Sequence, residues 1–175
     1  MYAGHMGFAL GAHGLRRSVP LWILVIASQL PDWTDAAFCL AGVRPETPGI
    51  LSHSFPAIAV LALSAAVGYA AISRDPAGVL LVAAVVISHA VGDYFTGIKP
   101  TWSGGPMIGL QLYKRPVIDF ILEAIVITAG WLVYRRSLPA SSRSSRPVFA
   151  LLTALLAIQI GADILLSVVE GIRKC

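Results

Sequence analysis

The feature that most constrains this chain is the run at residues 79–96, VLLVAAVVISHAVGDYFT, an apolar stretch of helical length into which His89 and Asp93 are set. As a helix it is long and oily enough to cross a bilayer. Residues four apart share one helix face, with Cβ atoms about 5–6 Å apart. Ionisable groups at that depth cost about 2.5–3.5 kcal/mol each on insertion scales. Something must compensate them, either a His–Asp hydrogen bond joining helices or a metal or proton site.

The rest of the composition agrees with a membrane setting. Of 175 residues, 57% are hydrophobic and 13% charged, which leaves too little polar surface to cover a soluble core of this size. We therefore expect an all-α, polytopic integral membrane bundle, a single domain over residues 1–175. The net charge of +4 does not point to nucleic acid, because the basic residues sit between apolar runs, where they read as membrane-edge anchors. Cys39 and Cys175 offer neither metal spacing nor a disulfide framework. Arg16 and Arg17 before residues 19–30 raise a signal peptide, but the segment ahead of them is itself apolar and motif-bearing.

In chain order, AGHMGFALGAHGL places Gly4, Gly7, Gly11 and Gly14 at helical spacing, which lets a second helix come close. Thirteen residues make about 20 Å of helix, short of the ~30 Å hydrocarbon core, so this is a short or re-entrant element. His5 lies near its start, and His13 near its end reads as an interfacial structural residue. A second helix opens at Pro20 and is expected to break at Pro31–Asp32–Trp33–Thr34–Asp35 before resuming over 36–43. A break carrying two carboxylates points at a polar cavity, unless Asp32 and Asp35 merely cap the next piece. After the loop RPETPGILSHS a helix spans 55–73, with Ser52 or Ser54 as its cap and His53 at the membrane boundary. There the positive helix end favours the neutral imidazole that metals require.

The loop 97–115 carries Trp102 and Tyr113 as interfacial aromatics, and its Ser103–Gly104–Gly105–Pro106 reads as a turn. A helix over 117–134 holds Asp119 and Glu123 on one face. A basic, serine-rich connector, RRSLPASSRSSRP, leads to a last helix at about 147–170 containing Asp163. That makes about five to six membrane-embedded helices. If the long helices alternate in direction, Asp32, Asp35, His53, His89, Asp93, Asp119 and Glu123 all fall on one membrane side. Asp163 and His5 drift to the same side, and this gathering argues for a single shared site. Basic residues divide almost evenly between the two sides, while the dense connector at 135–146 leans towards the cytoplasm and places the site outward.

The pieces GHMGFALG, QLPDWTD, LSHSF and ISHAVGDYFTGIKPTWSGGPMIGL, in this order, resemble the YdjM-like, LexA-binding, inner-membrane-associated family of metal-dependent hydrolases over about residues 4–136. The resemblance implies His5, Asp32, His53, His89 and Asp93 as metal ligands, and a bacterial inner membrane as the location. Two departures stand out. Pro48, Gly49 and Ile50 occupy the place where many relatives carry His-Arg-Gly, and the second acid follows Asp32 by three residues rather than two.

Three histidines with carboxylates and no cysteine suit zinc first and manganese second. Such a metal would deliver hydroxide to an ester or phosphodiester, with Asp35 or Glu123 taking the water's proton. At a membrane boundary the expected partners are membrane lipids and a lipid or lipid-linked substrate, with a protein partner left open. Two other classes compete: a non-catalytic metal-binding or docking scaffold, and an ion or proton transporter. Pseudo-symmetric halves would mark the transporter, and no second proline-interrupted segment matches Pro31. Serine nucleophiles beside His53 or His89 are disfavoured because helix neighbours point different ways.

Overall fold

In the computed structural model, which describes residues 3–168, the chain forms six helices: α1 Gly4–Leu15, α2 Leu21–Leu40, α3 Phe55–Ile72, α4 Pro76–Thr96, α5 Pro116–Ser137 and α6 Arg146–Val168. Four of them, α3 to α6, are long and apolar enough to cross a membrane. Their surfaces agree: Val60, Leu63 and Val67 on α3 are each more than 60% exposed, which suits contact with lipid rather than water. The chain is an integral membrane protein, and polar chemistry within it must be held by protein.

Local chemistry sets where the helices begin. Ser54 caps α3, its Oγ accepting from Ala57 N–H at 3.4 Å, with Pro56 in the first turn. Asp75 caps α4, accepting from Gly78 N–H at 3.0 Å, so that helix opens at Pro76 rather than residue 79. Proline lacks the N–H that a first turn cannot use, and Pro116 opens α5 for the same reason. The break expected at Pro31 is not a gap. α2 runs from Leu21 to Leu40 with Pro31 inside it. The missing donor is absorbed within one helix, and Asp32 and Asp35, three residues apart, sit on consecutive turns of its second half rather than capping a new one. Residues 169 and 170 of the expected last helix lie outside the described residues.

The short α1 is the centre of the bundle. It contributes Ala9 and Ala12 to an apolar cluster with Leu24 and Ala27 of α2, Ala62 of α3 and Val82, Val85 and Val86 of α4. Its Leu10 joins a second cluster with Ile127 and Trp131 of α5 and Leu155 of α6. Glycines make that central place possible. A Cβ on Gly7 would stand 2.5 Å from the Val126 carbonyl oxygen, one on Gly14 2.7 Å from the Tyr134 amide, and one on Gly130 would collide with the Gly7 carbonyl. The α1 and α5 backbones are therefore in direct contact, the packing mode small residues allow in membranes.

At the end of the bundle where α2 and α4 stop and α3 and α5 start, the loop after α4 folds back as a small ladder. β1 Lys99–Pro100 pairs antiparallel with β2 Met107–Ile108. Phe55 N–H bonds to Thr101 O at 2.9 Å and Leu110 N–H to Tyr94 O at 2.8 Å, tying the loop to both neighbouring helices. At the opposite end Arg16 grips Asp75 through two hydrogen bonds of 2.7 and 2.5 Å. His13 Nδ1 donates to Val19 O at 2.9 Å there, the interfacial structural role expected of it.

Candidate metal centre

Four of the expected ligands come from three parts of the fold. Asp32 lies in α2 just after Pro31, His53 in the turn before α3, and His89 and Asp93 one helical turn apart near the end of α4. One donor atom from each of these four lies within 4.8 Å of all the others. Four of the separations fall on a narrow range. His53 Nε2 is 3.1 Å from Asp32 Oδ1 and 3.4 Å from Asp93 Oδ2, and His89 Nε2 is 3.5 and 3.3 Å from the same two oxygens. Bonds of about 2.0–2.1 Å to a tetrahedral ion put donor atoms about 3.3–3.4 Å apart, so the four residues fit around one small cation.

Hydrogen bonding behind the rings fixes which nitrogen faces inward. His89 Nδ1 lies 2.8 Å from the Ser28 main-chain oxygen, which can only accept, so Nδ1 carries the hydrogen. A neutral ring then turns the lone pair of Nε2 towards the carboxylates. His53 reaches the same state by a relay. Ser52 Oγ donates to Asp35 Oδ1 at 2.8 Å, so its oxygen is left to accept from His53 Nδ1 at 2.7 Å. A protonated ring meets such a carboxylate through its own N–H, as His53 Nε2 can with Asp32 Oδ1 at 3.1 Å; with both rings neutral and protonated on Nδ1, lone pairs face the two carboxylates and a cation between them relieves the repulsion. His89 Nε2 makes no hydrogen bond among the described residues, although it is fully buried. Outer partners of this kind, orienting metal-binding histidines, are the usual support of a metal site.

His5 does not join the four. Its ring stacks on His89 with centroids 3.7 Å apart and planes 12° from parallel, and its Nε2 is 3.5 Å from Asp93 Oδ1. It is fully buried and makes no hydrogen bond among the described residues. It stands directly beside the pocket, against His89 and Asp93. Lys99, from β1, brings its Nζ to 3.1 Å from Asp93 Oδ2. Three of the four ligands are closed off, whereas the Asp32 side chain is 37% exposed, so the pocket opens past Asp32.

The remaining acids do other things. Glu123 is fully buried, and its Oε2 accepts from Gly4 N–H at 2.9 Å. Gln159 of α6 accepts from Ala3 N–H at 3.0 Å and donates to Asp163 Oδ1 at 2.8 Å. Because α1 has no side-chain cap of its own, these two groups from other helices take up its first amides and set the depth of His5. Asp119, also buried, sits one turn before Glu123 on the same face of α5.

Ser28, Gln159 and Lys99 escaped the sequence reading. Nothing in a sequence marks a main-chain oxygen as a histidine partner, whereas a glutamine in an apolar helix is a usable signal. The Ser52–His53 contact was discounted on helix geometry, yet both residues lie in a turn that follows Gly49 at φ 76°, where neighbours can meet. In that contact His53 donates to the serine and so cannot take its proton, which speaks for orientation of the ring and against a serine nucleophile. No family model, curated protein or solved structure matches this chain. What is established is a helical membrane protein with a buried Asp/His cluster able to hold a divalent metal.

Proposed function

We propose that this protein is a membrane-bound metal-dependent hydrolase of the kind its motifs resemble, acting on an ester or phosphodiester bond of a lipid or lipid-linked substrate. The observation that carries this reading is the convergence of Asp32, His53, His89 and Asp93, with both imidazole tautomers set by Ser28 and by the Ser52–Asp35 relay. The mixed nitrogen and oxygen donors favour zinc, then manganese, over calcium or magnesium, which prefer oxygen alone. Such an ion supplies Lewis acidity and lowers the pKa of a bound water towards ~7.

The chain's own residues supply the rest. Asp32, at the mouth, borders the face from which water and substrate arrive. Asp35, exposed and three residues further along α2, holds Ser52 through Oδ1, and its other oxygen is the base we assign to take the water's proton as the water oxygen attacks phosphorus or carbonyl carbon. The bond to the leaving oxygen breaks, and that oxygen recovers a proton. Glu123, held on Gly4 N–H, is assigned a positioning role through α1 and His5. Buried His53, His89 and Asp93 keep lipid tails and bulk water from the inner wall.

The test is hydrolysis of bis(p-nitrophenyl) phosphate and p-nitrophenyl esters by the purified chain, before and after chelation and with zinc or manganese restored. Activity that disappears with the metal and in Asp32→Ala, while the melting temperature of Asp32→Ala stays near wild type, supports the reading. Metal that binds without turnover, and a fold that fails when it is removed, would instead mark a structural scaffold.

A further inference from the structure

Beside the cation pocket, between the outward faces of α3 and α4, runs a groove of about 550 Å³. That is within the ~300–1,000 Å³ of sites that enclose a small ligand. Its walls are apolar: Phe55 and Ile58 on α3, and Ile87, Ala90, Val91 and Phe95 on α4. From Ile87 to Phe95 it follows α4 for about 12 Å. The one metal-binding side chain and the one cationic side chain on its lining, His53 and Lys99, both stand at the cation-pocket end, just before α3 and just after α4. Ile87 and Val91 are about half exposed, so the groove opens sideways, towards lipid.

We propose that this groove seats one acyl chain of an anionic phospholipid, with its phosphate held between Lys99 and the cation pocket. As a statement about substrate it rests on the hydrolase reading above. Polarity is graded along the groove as it is along a lipid, oily for its length and, at one end, carrying Lys99 and His53 beside the cation pocket. Lipid tails are as apolar as these walls, so transferring a chain into the groove gains little by itself. What the site adds is register: the chain fixes direction and depth, and Lys99, already 3.1 Å from Asp93 Oδ2, attracts the phosphate to the ligand His53. Lys99 is thus a positioning residue for the head group.

Native mass spectrometry of the full, metal-loaded chain released from detergent tests this with hexadecyl phosphate, hexadecanol and hexyl phosphate as probes. The wild type should retain hexadecyl phosphate well above the other two. Ala90→Trp, which fills the groove, should lower that retention at least about tenfold, and Lys99→Gln should erase the preference for phosphate over alcohol. Val91→Trp, at an outward position, repeats the test if Ala90→Trp does not fold. Equal retention of hexadecyl phosphate by wild type and a folded tryptophan variant overturns the groove. Retention that depends on Ala90 or Val91 in a protein that hydrolyses no phosphodiester keeps the groove and overturns the hydrolase. Turnover of bis(p-nitrophenyl) phosphate alongside retention indifferent to these positions does the reverse.

Discussion

At the residue scale, the outer hydrogen bonds decide whether two imidazoles are ligands or merely buried rings. Ser52 is the clearest case, because a single hydroxyl links Asp35 to His53. Ser52→Ala should weaken metal binding about 10–100-fold with little change in melting temperature, and Ser52→Thr should restore much of it, as read by competition with a chromophoric chelator. A residue far from the site gives a pH signature. The Arg16 guanidinium beside Asp75 holds its carboxyl well below the usual range, helped by the Gly78 amide. The lowered folded-state pKa means the contribution is fully present above the unfolded value of about 3.9 and is lost as the pH falls further. Asp75→Asn should therefore lower the melting temperature at pH 7, by an amount that shrinks below about pH 4 and in high salt. Asp32, His89 and Asp93 are legible in the sequence because an ionisable group in an oily run demands an explanation, whereas His53, in a loop, is marked by its place before a helix start and by the resemblance. Ser28 is not, since its part is played by a peptide oxygen that every residue carries.

At the scale of elements, α1 determines whether the site has a back wall. It is short, uncapped by its own side chains and held by glycine contacts to α5 and by Glu123 and Gln159. Gly130→Val would drive a branched side chain into the Gly7 carbonyl, so it should destabilise by about 1–3 kcal/mol or more and reduce metal retention with it. Gly68→Ala on α3 has open space and should instead be neutral or stabilising by about 0.5–1 kcal/mol. Thermal denaturation in detergent compares the two. The glycine spacing in the first helix announced close packing, but not its partner. That required knowing that Gly130, isolated in an ordinary apolar run, would face Gly7. Helix α2 continues through Pro31 for a related reason. A lost donor at Pro31 is one hydrogen bond in a long helix, and the neighbouring packing of Ala27 and Leu24 is enough to carry α2 through it.

For the whole molecule, the ends of α2 and α4 and the starts of α3 and α5 bring the titratable groups to one side, as alternating helix directions required. The arginines of the connector at 135–146 set one expectation for orientation, that this end stays cytoplasmic. In intact cells a membrane-impermeant maleimide should label Gly104→Cys, near the site, and spare Ser141→Cys, in a background with the native cysteines replaced. The reverse pattern would turn the site inward. The bundle and its one-sided chemistry could be read from hydropathy and spacing. The hairpin that carries Lys99 could not, because a two-residue ladder leaves no periodic trace. Metal content of purified wild-type protein, measured beside His89→Ala, addresses the cation pocket itself. One divalent ion per chain in the wild type and almost none in His89→Ala, with both proteins folded, is the expected result. Equal metal in the two, or none in either after growth with zinc and manganese, would contradict it.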